Sequence, residues 1–375
     1  MAVYIILTAL TVAMACLVQK PVCGGKNTDD DGKRMGIVRT RFTRGQLCNV
    51  VCLTGIFTLL FAVSACRYQV GNDYTRYEEF FHLIPLKQVV PTEFGFNQIV
   101  LFMQFLFGID TKLTIFALFA FVTVFFMVKA VYDQSENFLF SFFLFMTLSY
   151  YFQSLNTVRY YLAWAVAVFS MKYVLKKQYG RFILLILLTA TIHKSVLLVI
   201  PVYILANFNW KRWQLFLLAA VSASGIFLKD LYLKAVVLLY PSYENTSYLD
   251  GGTSVINIVR IVGVLVFTLI YYRRAVAEDR QNHFYFQLNI FALLLYLCGS
   301  FIPEISRVGY YMTAGHIFLL PSVIAKIESQ KQRRFWTAVI VLAALLYFGI
   351  FLIKAQDLLV RIVPYHTWIF DHTAK

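Results

Sequence analysis

The stretch Leu113-Thr114-Ile115-Phe116-Ala117-Leu118-Phe119-Ala120-Phe121-Val122-Thr123-Val124-Phe125-Phe126-Met127-Val128 contains no charge and does not alternate apolar with polar residues. A strand of a transmembrane β-barrel would alternate over roughly 10 residues, so this run is not one. With its flanks it approaches the roughly 20 apolar residues that a helix needs to cross a hydrocarbon core about 30 Å thick. Lipid offers no partner to backbone N–H and C=O groups, so such a run must pair them internally, as a helix.

Similar runs recur along the chain. Candidate spans are residues 2–18, 47–66, 113–131, 138–154, 160–175, 182–206, 214–232, 254–272, 283–302, 308–325 and 335–353, about eleven crossings by the same length criterion. The 375 residues are 60% hydrophobic and 14% charged, against about 25% charged in soluble domains. The fold class expected is all-α, a polytopic transmembrane helical bundle with short re-entrant or interfacial helices. No repeat or linker divides residues 1–375, so a single integral membrane domain is expected.

The formal net charge of +15 is spread over short clusters between apolar runs. That pattern sets topology and gives no nucleic-acid face. Basic residues resist translocation, so the clusters at 20–44, 172–181, 273–280 and 326–334 mark the cytoplasmic side, and residues 19–46 form a basic cytoplasmic loop. The N-terminal run lacks a preceding basic residue and is followed by Lys20, which reads as a retained helix rather than a signal peptide. Val63-Ser64-Ala65-Cys66 imitates a lipoprotein cleavage site, but membrane-type sequence continues for most of the chain beyond it. The six cysteines show no paired metal spacing and read as small apolar residues, and no metal is expected.

Parity of crossings then exposes two irregular places. Residues 67–112 must stay outside, so the short run 96–109 is an interfacial or re-entrant helix. Residues 182–206 are either broken near His193-Lys194, with both ends on the cytoplasmic side, or a single crossing with Lys211 and Arg212 outside.

Polar residues at membrane helices are expensive and are functional hypotheses by default. Four groups stand out. Arg67, Asp73, Tyr74 and Tyr77 follow the second span, where the bland reading is a helix cap with interfacial anchors. Asn156 and Arg159 share a face at i, i+3, as a phosphate-binding fork or as a cap and a snorkelling side chain. His193 lies inside an apolar run, as a proton acceptor, a sugar contact or a partner for a neighbouring helix. Glu304 and Arg307 form either a functional pair or a surface ion pair of small energetic value. The Asp29-Asp30-Asp31 tuft reads as solvated, and Asn245-Thr246-Ser247 as a chance triplet. Pro364-Tyr365-His366-Thr367-Trp368 reads as an aromatic interfacial anchor.

These residues form an ordered series: Arg67 with Gly71, Asp73, Tyr74 and Tyr77; then Glu93, Gly95 and Phe96; then Asn156 and Arg159; then His193 and Ser195; and finally Arg307. In this series the chain resembles the EpsG family of polysaccharide-biosynthesis membrane proteins, grouped with Wzy-type repeat-unit polymerases. Family members often carry Gln after the Arg of the Asn-x-x-Arg motif, where this chain has Tyr160. The resemblance implies a bacterial enzyme of the cytoplasmic (inner) membrane, with its active site facing outward. It would join polyprenyl-diphosphate-linked oligosaccharide repeats into exopolysaccharide, capsule or O-antigen.

Donor and acceptor are then both lipid-linked sugars, and no cofactor is required. The expected diphosphate and sugar contacts are Arg67, Tyr74, Tyr77, Asn156, Arg159 and Arg307. Asp73, His193 and Glu304 compete for the role of base. A chain-length regulator and a flippase are the partners that the resemblance implies. The rival readings are a flippase or transporter of lipid-linked sugars, a membrane O-acyltransferase and an O-antigen ligase.

Overall fold

The computed structural model describes residues 1–19, 44–109, 111–239, 254–299, 305–357 and 360–370. The described residues are helical, with one isolated antiparallel bridge between Arg67 and Thr367. In chain order the helices are α1 (Ala2–Ala15), α2 (Arg44–Ala65), α3 (Tyr74–Leu83), α4 (Phe94–Phe107), α5 (Lys112–Gln134) and α6 (Phe138–Thr147). They continue as α7 (Tyr150–Gln153), α8 (Val158–Leu175), α9 (Tyr179–Ala190), α10 (Val199–Ala206), α11 (Arg212–Phe227) and α12 (Lys229–Leu239). The last five are α13 (Val255–Ile270), α14 (Arg280–Cys298), α15 (Ile305–Thr313), α16 (His316–Ala325) and α17 (Gln330–Lys354).

Among the described residues, four stretches are long and apolar enough to cross a membrane: α2, α5, the α15–α16 pair and α17. The protein is a helical membrane protein. Leu47, Val50 and Val51 on α2 and Leu342, Leu345 and Ile353 on α17 are exposed, an apolar outer surface that suits lipid and not water. Inside the helices, hydroxyls are satisfied locally: Thr11 donates to Leu7 O at 2.7 Å and Thr268 to Val264 O at 2.8 Å. This spares lipid or core an unpaired polar group.

Some expected spans are interrupted. The run 138–154 is two helices, α6 and α7, joined through Ser149 with φ 65°. The run 308–325 is likewise divided into α15 and α16. Residues 20–43, which hold most of the expected basic loop together with Asp29 to Asp31, lie outside the described residues, as do Asn245 to Ser247.

α5, of 23 residues, is about 35 Å long and separates two chemically different ends. At its C-terminal end Asp133 accepts from Lys129 at 2.6 Å and from Lys172 of α8 at 2.7 Å. Asp279 caps α14 through the Gln281 and Asn282 N–H groups and pairs with Lys326, while Arg274 pairs with Glu328 at 3.1 Å. This is the end where the basic clusters at 172–181, 273–280 and 326–334 collect. At the other end α3 and α4 lie across α5 and α8, held by an aromatic cluster in which Tyr74 stacks on Phe116 at 4.4 Å. α4 has 14 residues, about 21 Å, too short to cross on its own.

The run 182–206 is a hairpin. α9 ends at Ala190, the backbone turns through residues 191–193, and a 3-10 turn at Lys194–Leu198 leads into α10. The Asn207 amide, just beyond α10, donates to Tyr179 Oη at 2.9 Å at the start of α9. Both ends of the hairpin therefore meet at the basic end of the bundle, and its tip reaches toward the opposite end. The break expected near His193-Lys194 is present in the fold.

Candidate functional site

The chain after α2 runs over that opposite end as an irregular segment whose path is set by backbone contacts. Gly71 has φ 97°, a region that favours glycine, and a Cβ there would strike Leu155 O and come within 2.9 Å of Asn156 Cα. Close approach brings the Asn72 N–H to Asn156 Oδ1 at 2.7 Å. One residue on, Asp73 opens α3, and its Oδ2 accepts from Thr157 Oγ1 at 3.0 Å. The expected Asp73 and Asn156 are thus neighbours, although they are far apart in sequence.

The C-terminal strap holds the other side of this segment. Gly71 N–H donates to Arg361 O at 2.8 Å, Tyr68 N–H to His366 O at 3.0 Å and Trp368 N–H to Cys66 O at 3.2 Å. Tyr365 Oη donates to Val63 O at 2.9 Å. The aromatic tail expected to anchor in the interface is a clamp on residues 63–71.

Asp73, Asn156 and Arg307 line one cleft of about 470 Å³. Its walls add Tyr160, Tyr161 and Tyr310, with Asn257 and Ser306 from α13 and α15 and Lys354 at the end of α17. The Tyr160 hydroxyl donates to Arg307 O at 2.6 Å, and the Arg307 guanidinium lies 5.9 Å from the Tyr160 ring. The cleft therefore presents a carboxylate, a guanidinium, side-chain amides and phenol rings, a set suited to hydroxyl-rich and anionic ligands.

Behind Tyr160 lies a second constellation. Arg159 pairs with Glu93, its Nε and backbone N–H face Tyr77 Oη at 3.4 Å each, and its Nη2 faces Pro91 O at 3.4 Å. Glu93 Oε1 accepts the Lys194 N–H at 3.1 Å and lies 3.6 Å from His193 Nδ1, beyond hydrogen-bond reach. Burial alone would raise the Glu93 carboxyl, but the His193 imidazole, the Arg159 guanidinium and the Lys194 N–H outweigh it and bring it down to about 2. Gly95 donates to Thr191 O at 2.8 Å, and a Cβ on it would lie 2.7 Å from Thr191 Cβ. Residues 93–96 thus dock on the hairpin tip. The tip in turn touches the cleft wall: the His193 ring meets Tyr160 edge-on at 5.8 Å, and Ser195 Oγ is 3.3 Å from Tyr311 Oη.

The structure therefore divides the residues expected from the sequence. Asp73, Asn156 and Arg307 share the cleft. Arg159 and His193 stand one layer behind it, with the Arg159 fork occupied by protein groups. Tyr77 is buried and packs under Arg159, 5.8 Å from ring to guanidinium, and Tyr74 is buried in the α3–α5 aromatic cluster. Arg67 is buried beneath the strap, its Nη1 facing Ser64 Oγ at 3.3 Å and its guanidinium 5.5 Å from the Phe116 ring. Glu304 lies outside the described residues. Glu93, a member of the motif series, is the hub of the second layer. Arg260 is a lone charge in the run 255–270, and a charge inside an apolar run is itself a signal of function.

The EpsG family model matches residues 50–367, most of the chain, and the chain belongs to the EpsG family. No curated protein and no solved structure matches it. Membership makes it a membrane protein of the polysaccharide-polymerase type.

Proposed function

From that membership we propose that the protein joins polyprenyl-diphosphate-linked oligosaccharide repeats into a surface polysaccharide at the outer face of the bacterial cytoplasmic membrane, with residues 1–375 as one catalytic membrane domain. The observation that carries the reading is the cleft at the end of the bundle remote from the basic clusters, where Asp73, Asn156 and Arg307 converge. A sugar at that end reacts where a flipped lipid-linked substrate is presented.

The chemistry is displacement at the donor's anomeric carbon. The acceptor hydroxyl forms the new C–O bond as the bond to the diphosphate oxygen breaks, and the electron pair leaves with the polyprenyl diphosphate. The hydroxyl proton passes to the Asp73 carboxylate, which Thr157 Oγ1 orients at 3.0 Å. Arg307 sits in the same cleft to meet the charge on the departing diphosphate, and the phenol and amide groups hold sugar hydroxyls. Asp73 is favoured over His193 because it lines the cleft, whereas His193 stands behind Tyr160. Arg159 and Glu93 serve as the frame that fixes the wall.

Deletion of the gene is expected to leave single repeats attached to lipid at the outer face, seen as one short band on a glycan gel. Polymer of normal length in the deletion strain overturns the reading. Lipid-linked repeats confined to the cytoplasmic face point to a flippase.

A further inference from the structure

Arg260 stands five residues beyond the start of α13, about 8 Å along the helix axis. Its Nη2 donates to Thr313 Oγ1 at 3.3 Å, and its guanidinium faces the rings of Tyr347 at 5.2 Å and Tyr150 at 6.0 Å. Its Nε and Nη1 are buried without a hydrogen-bond partner, and among the described residues no carboxylate forms an ion pair with it. A buried guanidinium with unspent N–H groups is costly, and an arriving anion recovers that cost.

Two cavities meet beside this residue, which lines the apolar one of the two. The polar cleft and an apolar groove of about 600 Å³ share Ile256, Tyr347 and Ile350. The groove runs between α6, α13, α16 and α17, lined by apolar side chains such as Leu144, Phe267, Trp336 and Ala343, with Arg260 at the cleft side. Val259, Val266 and Leu346 in its lining are exposed, so it opens on the apolar outer surface. Asn257, one turn before Arg260 on the same face, lines the cleft, and its buried Oδ1 has no partner.

Apolar groove, buried cation and polar cleft in that order match one amphiphile: a long isoprenoid chain, a diphosphate and a sugar. Resting on the polymerase reading of the cleft, we infer that the α13–α17 groove takes the isoprenoid chain of a polyprenyl diphosphate and that the Arg260 guanidinium binds its diphosphate. The cation at the groove's inner end selects a chain that ends in an anion.

The test uses the purified full-length protein in detergent and a fluorescent long-chain polyprenyl diphosphate as probe, with inorganic pyrophosphate and phosphatidylglycerol as competitors. Arg260→Gln is expected to weaken probe binding about ten- to hundredfold. Gly263 lines the groove, and a Cβ there meets nothing within 4 Å, so Gly263→Phe fills the groove without a clash at the backbone. It is expected to weaken the probe about tenfold or more, while the affinity for inorganic pyrophosphate changes less than about twofold. Unchanged probe binding in either variant overturns the assignment, and the Gly263→Phe arm decides it if Arg260→Gln fails to fold. Displacement of the probe by phosphatidylglycerol as effective as by unlabelled polyprenyl diphosphate also overturns it. Failure of the wild-type protein to bind the probe at all overturns the polymerase reading itself.

Discussion

Glu93 Oε1 accepts the backbone N–H of Lys194 at 3.1 Å while the same carboxylate pairs with Arg159, so one side chain from the loop before α4 ties the hairpin tip to the start of α8. Both partners of the ion pair are largely buried. Removing one leaves the other charge unpaired, which typically costs about 3 kcal/mol or more. Glu93→Gln is expected to lower stability by that order, and Glu93→Gln with Arg159→Met by less than the sum of the two single changes. Unfolding of the purified variants in detergent measures this; strictly additive losses would mean that the pair is not coupled.

The same carboxylate makes a prediction about acid. Its folded value of about 2 lies below the ordinary 4.5. A lowered folded pKa adds stability that is present above the unfolded value and is lost as pH falls toward the folded one. Melting temperatures of wild type and Glu93→Gln should therefore run parallel from about pH 8 to about pH 5 and converge below about pH 4. A gap that closes between pH 8 and 6 would assign the stabilisation to another group.

Asp73→Asn keeps the shape of the side chain and removes its capacity to take a proton. Loss of a general base costs roughly a hundred- to ten-thousandfold in rate. Polymer formation in a complementation assay is expected to fall by that range, with membrane levels unchanged, whereas Thr157→Ala, which only frees the carboxylate, should fall far less. Wild-type polymer from Asp73→Asn places the base elsewhere.

Gly95→Ala adds one methyl group where it would meet Thr191. The docking of α4 on the hairpin tip must loosen, at a cost of roughly 1–3 kcal/mol for overpacking. Activity should fall together with thermal stability. Thr191→Gly removes the side-chain part of the clash but leaves the added Cβ 2.8 Å from Thr191 O, so the double variant should recover only part of both. A variant as stable and active as wild type would show that the contact tolerates the methyl.

Thr75, on α3, and Ser329, at the start of α17, are both exposed and lie at opposite ends of the bundle. Single cysteines at each, in a background without the native ones, are expected to react from opposite sides with an impermeant thiol reagent, Thr75→Cys from outside. Equal labelling of both in intact cells would overturn the orientation.

Residues 113–128 determine a transmembrane helix without any help from the rest of the chain, because backbone satisfaction in lipid leaves no alternative for an unbroken apolar run. The basic clusters likewise set one end of the bundle apart from the other, since charge acts on topology locally, loop by loop. The shortness of 96–109 and the irregularity at His193-Lys194 were also legible, as conflicts between length and parity. Direction inside the hairpin was not: the contact of Asn207 with Tyr179 closes it, and a contact between residues so far apart depends on both helices being in place. The division of the polar motifs was equally invisible. Spacing put Asn156 and Arg159 on one helix face, yet Asn156 precedes α8 and lines the cleft with Asp73, and Arg159, on α8, turns behind it to Glu93. Periodicity tells which residues share a helix face, but which of them meets ligand and which meets protein is decided by the elements that pack against that face.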